Sequence, residues 1–570
     1  MRDVLYNVRY VYIALVFHDT RIYFAYSHFM DSSARYDRRL PGATEAWILG
    51  SGTASLASAV YLIKLAHLRP SAVHILDEHL SLQQAVHQQG SAHAGYDQFA
   101  ECLPVPVGSE LREVLDMIPS AVAEGRSYLD DIQEEEENLA MNRKGGTCFI
   151  AQNGGAFKHL PTKSLNIGWS HRIHMMRLLL KGEKSLQKKD IRSFFRESFF
   201  ESTFWTIWST QFGFQPWHSA TEFRRAVRQY LSDFYSLSIL SCLDLTGHYQ
   251  YEAIYLPIYF FLQSQGVDFQ FGIKIRNIET TVDQNRHTIS RLAVSQHGLE
   301  FKKFLGYSDI VIATPGSTVS GSAIGTNDLP PAWLSIEARD HLDANWALWL
   351  EAGNKYPDYG NPYTFCTRKS ESILESFTIT TEHIGFVEYL QSLSQCQSQA
   401  GAIILMKKSG WGMRLCLPVQ PVFAQQSRDV RVLWGFALFP ENEGEHIRKS
   451  MLFCSGAEIM SEILHHLDLP GEVATEVLQR SITIPRAMPR MSSTLLTRSF
   501  EDRPCITPKS VVNLALVGPF VETPRRTCVD TSYGIHVARI AVSRLMGLQE
   551  WPKEHSRPSI SRVLITLLRK

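Results

Sequence analysis

Short apolar runs that alternate with helical patterns predict an α/β fold for this chain. The run at residues 46–49 (AWIL) ends in a glycine turn at 50–52 (GSG), and apolar residues then recur at helical spacing up to residue 66. A second run at 73–76 (VHIL) ends in an Asp-Glu pair at 77–78. Strand, glycine turn, helix and acidic strand end, in this order, are typical of the first half of a dinucleotide-binding unit.

Further buried strands are predicted far along the chain, at 266–271, 309–317 and 512–520, and a helical pattern follows at 534–548. Strands of one nucleotide-binding sheet at such distant positions imply a Rossmann-like domain assembled from discontinuous segments, with insertions between them. The order suits a flavoprotein better than a simple dehydrogenase. The opening motif would bind the adenylate half of the cofactor, and the closing strand, loop and helix would cover the isoalloxazine half.

The glycine turn has the chemistry that a pyrophosphate requires. Gly50 permits a tight turn, and Gly52 lets the backbone approach phosphates at the positive end of the following helix. Ser55 stands where a third glycine is usual and is small enough for close packing of helix on strand. The Asp77 carboxylate follows the second strand, where it can accept hydrogen bonds from ribose hydroxyls. We therefore expect a dinucleotide to bind at this turn.

Leu, Phe and Trp are concentrated between residues 178 and 235, including the run FWTIW at 204–208. Such density is typical of a helical core. The alternative is the lining of a pocket for a long apolar ligand.

Composition narrows the function further. The 570 residues include 57 Lys and Arg against 57 Asp and Glu, which argues against a basic surface for nucleic acid. The nine cysteines form no CxxC pair, so neither a disulfide framework nor a zinc site is predicted, and a cytoplasmic protein with reduced thiols is expected. His171 and His174 have no third ligand nearby in the sequence, and we predict no metal site.

The two ends of the chain are predicted to lie outside the main fold. The apolar stretch at 8–17 is interrupted by Arg9 and is too short to cross a bilayer, and no other stretch is long enough either. Residues 1–44 are interpreted as an N-terminal appendage and residues 551–570 as a basic C-terminal tail. The sequence leaves peripheral contact with a membrane open.

The chain resembles the flavin-dependent oleate hydratases, also called myosin-cross-reactive antigens, over residues 45–550. Several segments carry this resemblance in the order found in the family: GSGTASLA at 50–57, ECL at 101–103, IPS at 118–120, ESFF at 197–200, FW at 204–205, PWHS at 216–219, QY at 250–251, LP at 256–257, GNP at 360–362 and GPFVETP at 518–524. The resemblance implies FAD as cofactor and an unsaturated free fatty acid as substrate. The implied reaction is a hydro-lyase reaction that adds water to a cis double bond and gives a hydroxy fatty acid.

In the family a carboxylate orients or activates the water and a tyrosine protonates the alkene, while the flavin undergoes no net redox change. The catalytic glutamate position falls on Gly95 in this chain, and the neighbouring arginine falls on Ala94. Asp97 and His93 are the candidates for a base from a shifted loop. The alternatives are a flavin-dependent lipid isomerase or oxidoreductase, and a non-catalytic lipid- or flavin-binding homologue.

The family's Tyr-Asn-Gln-Tyr stretch becomes HYQY at residues 248–251 in this chain. Tyr251 keeps the second tyrosine, and Tyr249 lies beside the first position, so either hydroxyl is a candidate proton donor. The alternative is that these aromatic residues only pack a helix against the sheet. For the substrate, the resemblance suggests Trp217, His218 and Asn361, although His218 also fits a hydrogen-bonded core histidine.

The cofactor-binding residues implied by the motif and the resemblance lie at the two ends of the discontinuous domain. They are Gly50, Gly52, Thr53, Ala54, Ser55, Asp77, Glu78, Gly518, Phe520, Val521 and Ser532, the last at a position that is usually acidic in the family.

The predicted division places largely helical substrate-binding insertions between three segments of the FAD-binding domain. Residues 45–160, 261–340 and 481–550 form the predicted FAD-binding domain. The two insertions are a helical substrate-binding or lid region at 161–260 and a substrate-binding domain at 341–480. A homodimer is left open.

Overall fold

The computed structural model describes most of the chain, and all structural statements below refer to that part. The described residues are 39–78, 90–97, 109–134, 148–153, 156–159, 167–231, 251–283, 286–331, 342–394, 402–549 and 560–568. Most of the predicted N-terminal appendage, the ECL segment and Tyr249 lie outside these ranges.

The described strands are, in chain order, β1 (Ala46–Leu49), β2 (Val73–Asp77), β3 (Gly90–Ser91), β4 (Gly95–Tyr96), β5 (Cys148–Asn153), β6 (Ala156–His159), β7 (Asp268–Phe271), β8 (Ile273–Asp283), β9 (Arg286–Gln296), β10 (Leu299–Phe304), β11 (Ile310–Ala313), β12 (Ala323–Ile324), β13 (Leu374–Thr381), β14 (Ala402–Met406), β15 (Met413–Leu417), β16 (Arg431–Ala437), β17 (Ser481–Met488) and β18 (Leu514–Leu516).

The described α-helices are α1 (Thr53–Lys64), α2 (Ser109–Asp116), α3 (Trp169–Leu180), α4 (Glu197–Phe200), α5 (Thr203–Phe212), α6 (Ala220–Tyr230), α7 (Leu256–Gln265), α8 (Ala344–Lys355), α9 (Tyr363–Cys366), α10 (Lys369–Ser372), α11 (Ile384–Ser394), α12 (Gly456–His466), α13 (Gly471–Gln479), α14 (Ser532–Met546) and α15 (Ile560–Leu568). A π-helical turn, Tyr251–Tyr255, leads into α7.

A five-stranded parallel sheet in the order β18-β11-β1-β2-β7 forms the centre of one half of the molecule. The first and last described strands of the chain therefore meet in one sheet with only β11 between them. Helix α1 returns over the sheet and packs against α14. The predicted α/β class and the discontinuous Rossmann-like domain are confirmed, because strands near residues 46, 310 and 514 belong to the same parallel sheet.

Two further large sheets, one antiparallel and one mixed, are built from residues that lie in the chain between the strands of the parallel sheet. Strands β10-β9-β8 form a three-stranded antiparallel sheet, and an eight-stranded sheet has the order β12-β17-β13-β16-β15-β14-β5-β6. Its inner face packs against α3, α5, α6 and α15, and this layer holds the aromatic residues between 195 and 223. Its outer face packs against α11 and α12. The aromatic region is thus a helical core, and the large sheet beneath it is a feature that the sequence pattern did not reveal.

Candidate functional site

The glycine turn between β1 and α1 has the backbone that an anion site requires. Gly50 has φ +103°, a conformation that residues with a side chain rarely adopt, and a β-carbon there would lie 3.4 Å from the Asn345 amide nitrogen. Helix α1 begins with Gly52 at the N-cap, Thr53 and Ala54 in its first turn, and no side-chain cap or acidic residue. The first N–H groups of α1 are therefore not capped by a side chain, as a pyrophosphate site requires.

Asp77 fixes the shape of this turn. Its carboxylate accepts a hydrogen bond from the Ser51 backbone N–H at 2.7 Å, and the Tyr255 hydroxyl donates to the Ser51 carbonyl. Ser55 lies behind the turn with its hydroxyl 3.2 Å from that of Thr314. The structure thus brings the predicted ribose-binding carboxylate and the predicted phosphate turn into direct contact.

Glu78 is placed differently from the other predicted cofactor residues. Its carboxylate accepts a hydrogen bond from the Ala344 backbone N–H at 3.1 Å, at the start of α8. A pocket open to solvent lies along α8 and the ends of β11 and β18, and Thr314 and Asn345 line it beside the glycine turn. Ligands of open α/β sheets bind at the carboxyl ends of the strands, and this pocket reaches that edge of the sheet.

The closing segment after β18 lies against the glycine turn. A β-carbon at Gly534 would lie 3.2 Å from the Ala54 β-carbon and 3.7 Å from the Gly518 α-carbon. The predicted meeting of the opening turn and the carboxy-terminal strand is therefore confirmed. Phe520 and Val521 are fully buried. The Phe520 ring packs on Trp346, so its side chain belongs to the core.

Asp530 is a carboxyl that sequence reasoning missed. Ser532 accepts a hydrogen bond from the Leu111 backbone N–H, and two residues earlier Asp530 lies buried before α14. Tyr230 donates to Asp530 at 2.7 Å, and the Tyr533 backbone N–H donates at 2.8 Å. Burial raises the pKa of Asp530 to about 6. An aspartate just before a helical pattern is a usual N-terminal signal and could have been found from the sequence.

The candidate catalytic loop is a small hairpin, β3 and β4, that packs on the eight-stranded sheet. Gly95 has φ +81°, and a β-carbon there would lie 2.8 Å from a methyl carbon of Ile482. The Tyr96 backbone N–H donates to the Thr380 hydroxyl at 2.8 Å. Gly95, where the resemblance puts the family's catalytic glutamate, thus has neither the backbone conformation nor the space for a side chain.

The two candidate bases occupy different environments. Asp97 is buried and forms an ion pair with Arg486 of β17. His93 is exposed in the hairpin turn. Of the two, only Asp97 is held in a fixed, partly desolvated position.

The candidate proton donors are only partly described. Tyr251 begins the π-helical turn that ends at Tyr255, whose hydroxyl contacts the glycine turn. Tyr249 lies outside the described residues. One π-helical turn therefore separates the Tyr251 backbone from Tyr255, which contacts the glycine turn.

Two of the predicted substrate residues are engaged within the protein core. The Trp217 indole donates to the Glu371 carbonyl at 2.9 Å, and His218 Nε2 lies 3.1 Å from the same oxygen. His218 Nδ1 accepts from the Gln215 backbone N–H, and burial lowers the pKa of His218 to about 4. His218 is therefore a neutral, hydrogen-bonded core histidine. Asn361 is exposed, and its backbone N–H donates to the Asp502 carbonyl.

Neither a metal site nor a membrane span is found in the part of the chain that the structure describes. There, no group of three His, Cys, Asp or Glu residues is arranged to hold a metal ion. Among the same residues, no helix has both the length and the apolar character to cross a bilayer.

Comparisons with known proteins point in one direction. The sequence model described as "MCRA family" matches residues 43–543. An oleate hydratase from Streptococcus pyogenes serotype M49 (strain NZ131) is 28% identical over 517 residues, 87% of this chain and 84% of that protein. A linoleate hydratase from Lactiplantibacillus plantarum is 25% identical over 546 residues, 89% of this chain and 94% of that protein.

Solved structures give weaker similarities. An oxidoreductase from Methanosarcina mazei aligns with a TM-score of 0.43 and 9% identity, covering 86% of this chain and 99% of that chain. A tryptophan 6-halogenase from Streptomyces toxytricini aligns with a TM-score of 0.35 and 10% identity, covering 92% of this chain and 74% of that chain. The strand order, and not these low scores, assigns the fold.

Proposed function

This chain belongs to the MCRA family, and from that premise we propose that it is a hydratase that adds water to a cis double bond of an unsaturated free fatty acid. The observation that carries the proposal is that two hydratases align with it over more than four fifths of their length. The names of both relatives specify an unsaturated fatty acid as substrate. A hydro-lyase reaction giving a hydroxy fatty acid follows for this chain.

We propose FAD as the cofactor. Gly50, Gly52 and the first turn of α1 would hold the pyrophosphate, Asp77 would hold the ribose, and the backbone at Gly518 to Val521 would face the ring system. Support comes from the uncapped start of α1, from the positive φ of Gly50 and from the contact between the opening and closing segments. When bound, the flavin would shape and polarise the site without a net redox change.

The catalytic roles belong to Asp97 and a tyrosine in this proposal. The Arg486 guanidinium stabilises the charged form of the Asp97 carboxylate, which can orient water and accept its proton. Tyr251 or Tyr249 would donate a proton to the alkene carbon. Asp97→Asn is expected to abolish turnover and leave flavin bound, and Tyr251→Phe tests the proton donor in the same way. An unchanged rate in either variant would remove that residue from the mechanism.

The direct test is incubation of the purified full-length protein, loaded with reduced FAD, with oleate or linoleate. A product heavier by one water supports the hydratase. A product of unchanged mass would favour a lipid isomerase, and one lighter by two hydrogens would favour an oxidoreductase. Bound lipid or flavin without turnover would favour a non-catalytic homologue.

We also propose the division into three FAD-binding segments and two substrate-binding insertions, a cytoplasmic location, a homodimer and peripheral membrane contact. The parallel sheet, built from β1, β11 and β18, supports the three segments. Limited proteolysis checks the division, since cleavage should release the insertions before the sheet. Light scattering checks the dimer, and flotation with phospholipid vesicles checks the membrane contact.

A further inference from the structure

The loop that connects β15 and β16 leaves the eight-stranded sheet and enters the core of the other half of the molecule. Residues 420–427 of this loop, here called the bridging loop, include the buried side chains of Val422 and Phe423. Both belong to the apolar cluster that also contains side chains of β1, β2 and α1, whereas β15 packs in the clusters on the two faces of the eight-stranded sheet. The bridging loop therefore connects that sheet to the half of the molecule that contains the parallel sheet.

Two glutamine side chains hold the bridging loop in one shape. The Gln420 amide nitrogen donates to the Val432 carbonyl at 2.8 Å, and the Gln420 amide oxygen accepts from the Val432 backbone N–H at 3.1 Å. Gln426 donates to the Gln420 amide oxygen at 2.8 Å and accepts from the Val422 backbone N–H at 2.7 Å. These hydrogen bonds attach both ends of the loop to β16, so the loop can serve as a fixed support.

The candidate base follows a residue that the bridging loop holds. Tyr96, which precedes Asp97, is 5% exposed, and its ring stacks on the Phe423 ring with the centroids 5.1 Å apart. The Tyr96 hydroxyl donates to the Gln425 carbonyl at 3.2 Å and accepts from the Ser427 backbone N–H at 3.0 Å. The hydroxyl thus has both a donor and an acceptor partner in the loop, which fixes the hairpin there.

The candidate proton donor Tyr251 has a neighbour that the same loop holds. Glu252, which follows it in the π-helical turn, accepts a hydrogen bond from the Ala424 backbone N–H at 2.7 Å. A hydrogen bond from a backbone N–H to a carboxylate is stronger than one to a neutral acceptor. The immediate neighbours of both Asp97 and Tyr251 are therefore bonded to adjoining residues of one loop.

We infer that the bridging loop sets the position of Asp97 relative to Tyr251, and that Tyr96 and Glu252 are the positioning residues through which it acts. This inference rests on the proposed hydratase function. Addition of water to an alkene requires a base beside the water and a proton donor beside the carbon, and a misplacement of about 1 Å can lower a rate about 100-fold. Because the two groups lie far apart in the chain, their separation depends on what connects their segments.

Tyr96→Phe is the sharpest test, because it keeps the ring on Phe423 and removes only the hydrogen bonds of the hydroxyl. We expect kcat for oleate hydration to fall about 10- to 100-fold, while the dissociation constants of oleate and FAD, measured by calorimetric titration, change less than about 2-fold. Glu252→Ala should give the same split between kcat and binding. Glu252→Gln, whose amide oxygen can still accept from Ala424, should retain most of the activity.

Hydrogen exchange followed by mass spectrometry gives a readout that requires no turnover. Tyr96→Phe should raise exchange in the hairpin, residues 90–97, and also in residues 251–256, because the bridging loop connects the two segments. The matched control is Tyr389→Phe on α11, whose hydroxyl donates to the Leu467 carbonyl at 3.1 Å on the outer side of the eight-stranded sheet. It should leave kcat and the exchange of both segments unchanged.

The outcomes separate the inference from the proposed function. If wild type makes the hydroxy acid and Tyr96→Phe keeps its kcat, the inference fails and the function stands. If wild type binds oleate without turnover and Tyr96→Phe raises exchange in both segments, the coupling by the loop stands and the function fails. Faster exchange confined to the hairpin, or an equal loss of kcat in Tyr389→Phe, overturns the inference.

Discussion

At the scale of single residues, the buried carboxyl groups differ in whether the fold gives them a partner. Asp97 has Arg486, and Asp530 has Tyr230 and the Tyr533 backbone N–H. Glu375 on β13 is fully buried, and neither of its oxygens has a hydrogen-bond partner in the described residues. Burial raises the pKa of Glu375 well above its usual range, so the group is expected to be protonated in the folded protein.

Glu375 should make the folded state less stable as pH rises. Its folded pKa exceeds its unfolded value, so unfolding releases its proton once pH passes about 4.5, and the free energy of unfolding falls from there towards the folded pKa. Glu375→Gln removes this loss, and we expect a higher melting temperature at pH 7 and little change near pH 4. Thermal unfolding at several pH values measures it. Glu388→Gln, at an exposed glutamate on α11, is the control.

Restoring a glutamate at residue 95 should not restore the family's chemistry. Gly95→Glu and Gly95→Ala both place a β-carbon against Ile482 and at a positive φ. Each should therefore cost about 1–3 kcal/mol of stability, measured by urea unfolding. Equal stability of Gly95→Ala and wild type would show that the hairpin moves freely off the sheet.

At the scale of elements, the unit β1, glycine turn and α1 carries the proposed cofactor site, and its parts depend on each other. The turn is held by Asp77 at the end of β2 and by Tyr255 at the end of the π-helical turn. Helix α14 packs on α1 and brings the closing segment beside it. A change in the turn should therefore affect cofactor binding before it affects the rest of the fold.

Gly50→Ala tests this element. The alanine would adopt φ +103° only with strain, so the turn should open and the protein should lose most of its flavin absorbance when purified. Gly42→Ala is the matched control, since nothing lies within 4 Å of a β-carbon there. Full flavin content in Gly50→Ala would place the cofactor elsewhere.

At the scale of the whole molecule, a buried network of charges joins the helical insertion to the closing segment of the parallel sheet. Glu222 of α6 contacts Arg225, Arg498 and Arg503, and Glu522 after β18 contacts Arg225 and Arg498. The arginines hold the pKa of Glu522 at about 2. The helical insertion and the closing segment are therefore coupled electrostatically.

Removing one member of this network should destabilise the whole protein. Glu222→Gln leaves three buried arginines short of a partner, and we expect a loss of about 3–5 kcal/mol in the free energy of unfolding. Glu134→Gln, which breaks the exposed pair with Arg126, should cost at most about 1 kcal/mol.

Acid should act on the same network. Because the folded pKa of Glu522 lies below its unfolded value, its stabilisation is present above about pH 4.5 and is lost as pH falls towards 2. Chemical denaturation of the Glu375→Gln variant at pH 7 and pH 3 measures this loss without the opposing change from Glu375, and an equal free energy of unfolding at both values would contradict it.

The sequence predicted the parallel sheet because β1, β2, β11 and β18 are short apolar runs next to a glycine turn or a helical pattern. The eight-stranded sheet escaped prediction because β13 and β14 are buried on both faces, so the alternation that marks a half-exposed strand is absent. Asp97 was identified as a candidate, but its partner Arg486 lies 389 residues away, a contact that no local pattern encodes.

The position of β18 beside β11 has a consequence for biosynthesis. About 200 residues separate these two neighbouring strands, so a ribosome elongating at about 5–20 residues per second needs roughly 10–40 s between them. During that time the nascent polypeptide has an open apolar strand edge at β11 and no finished pocket for a flavin. Assembly of the holoenzyme therefore cannot begin before β18 has been synthesised.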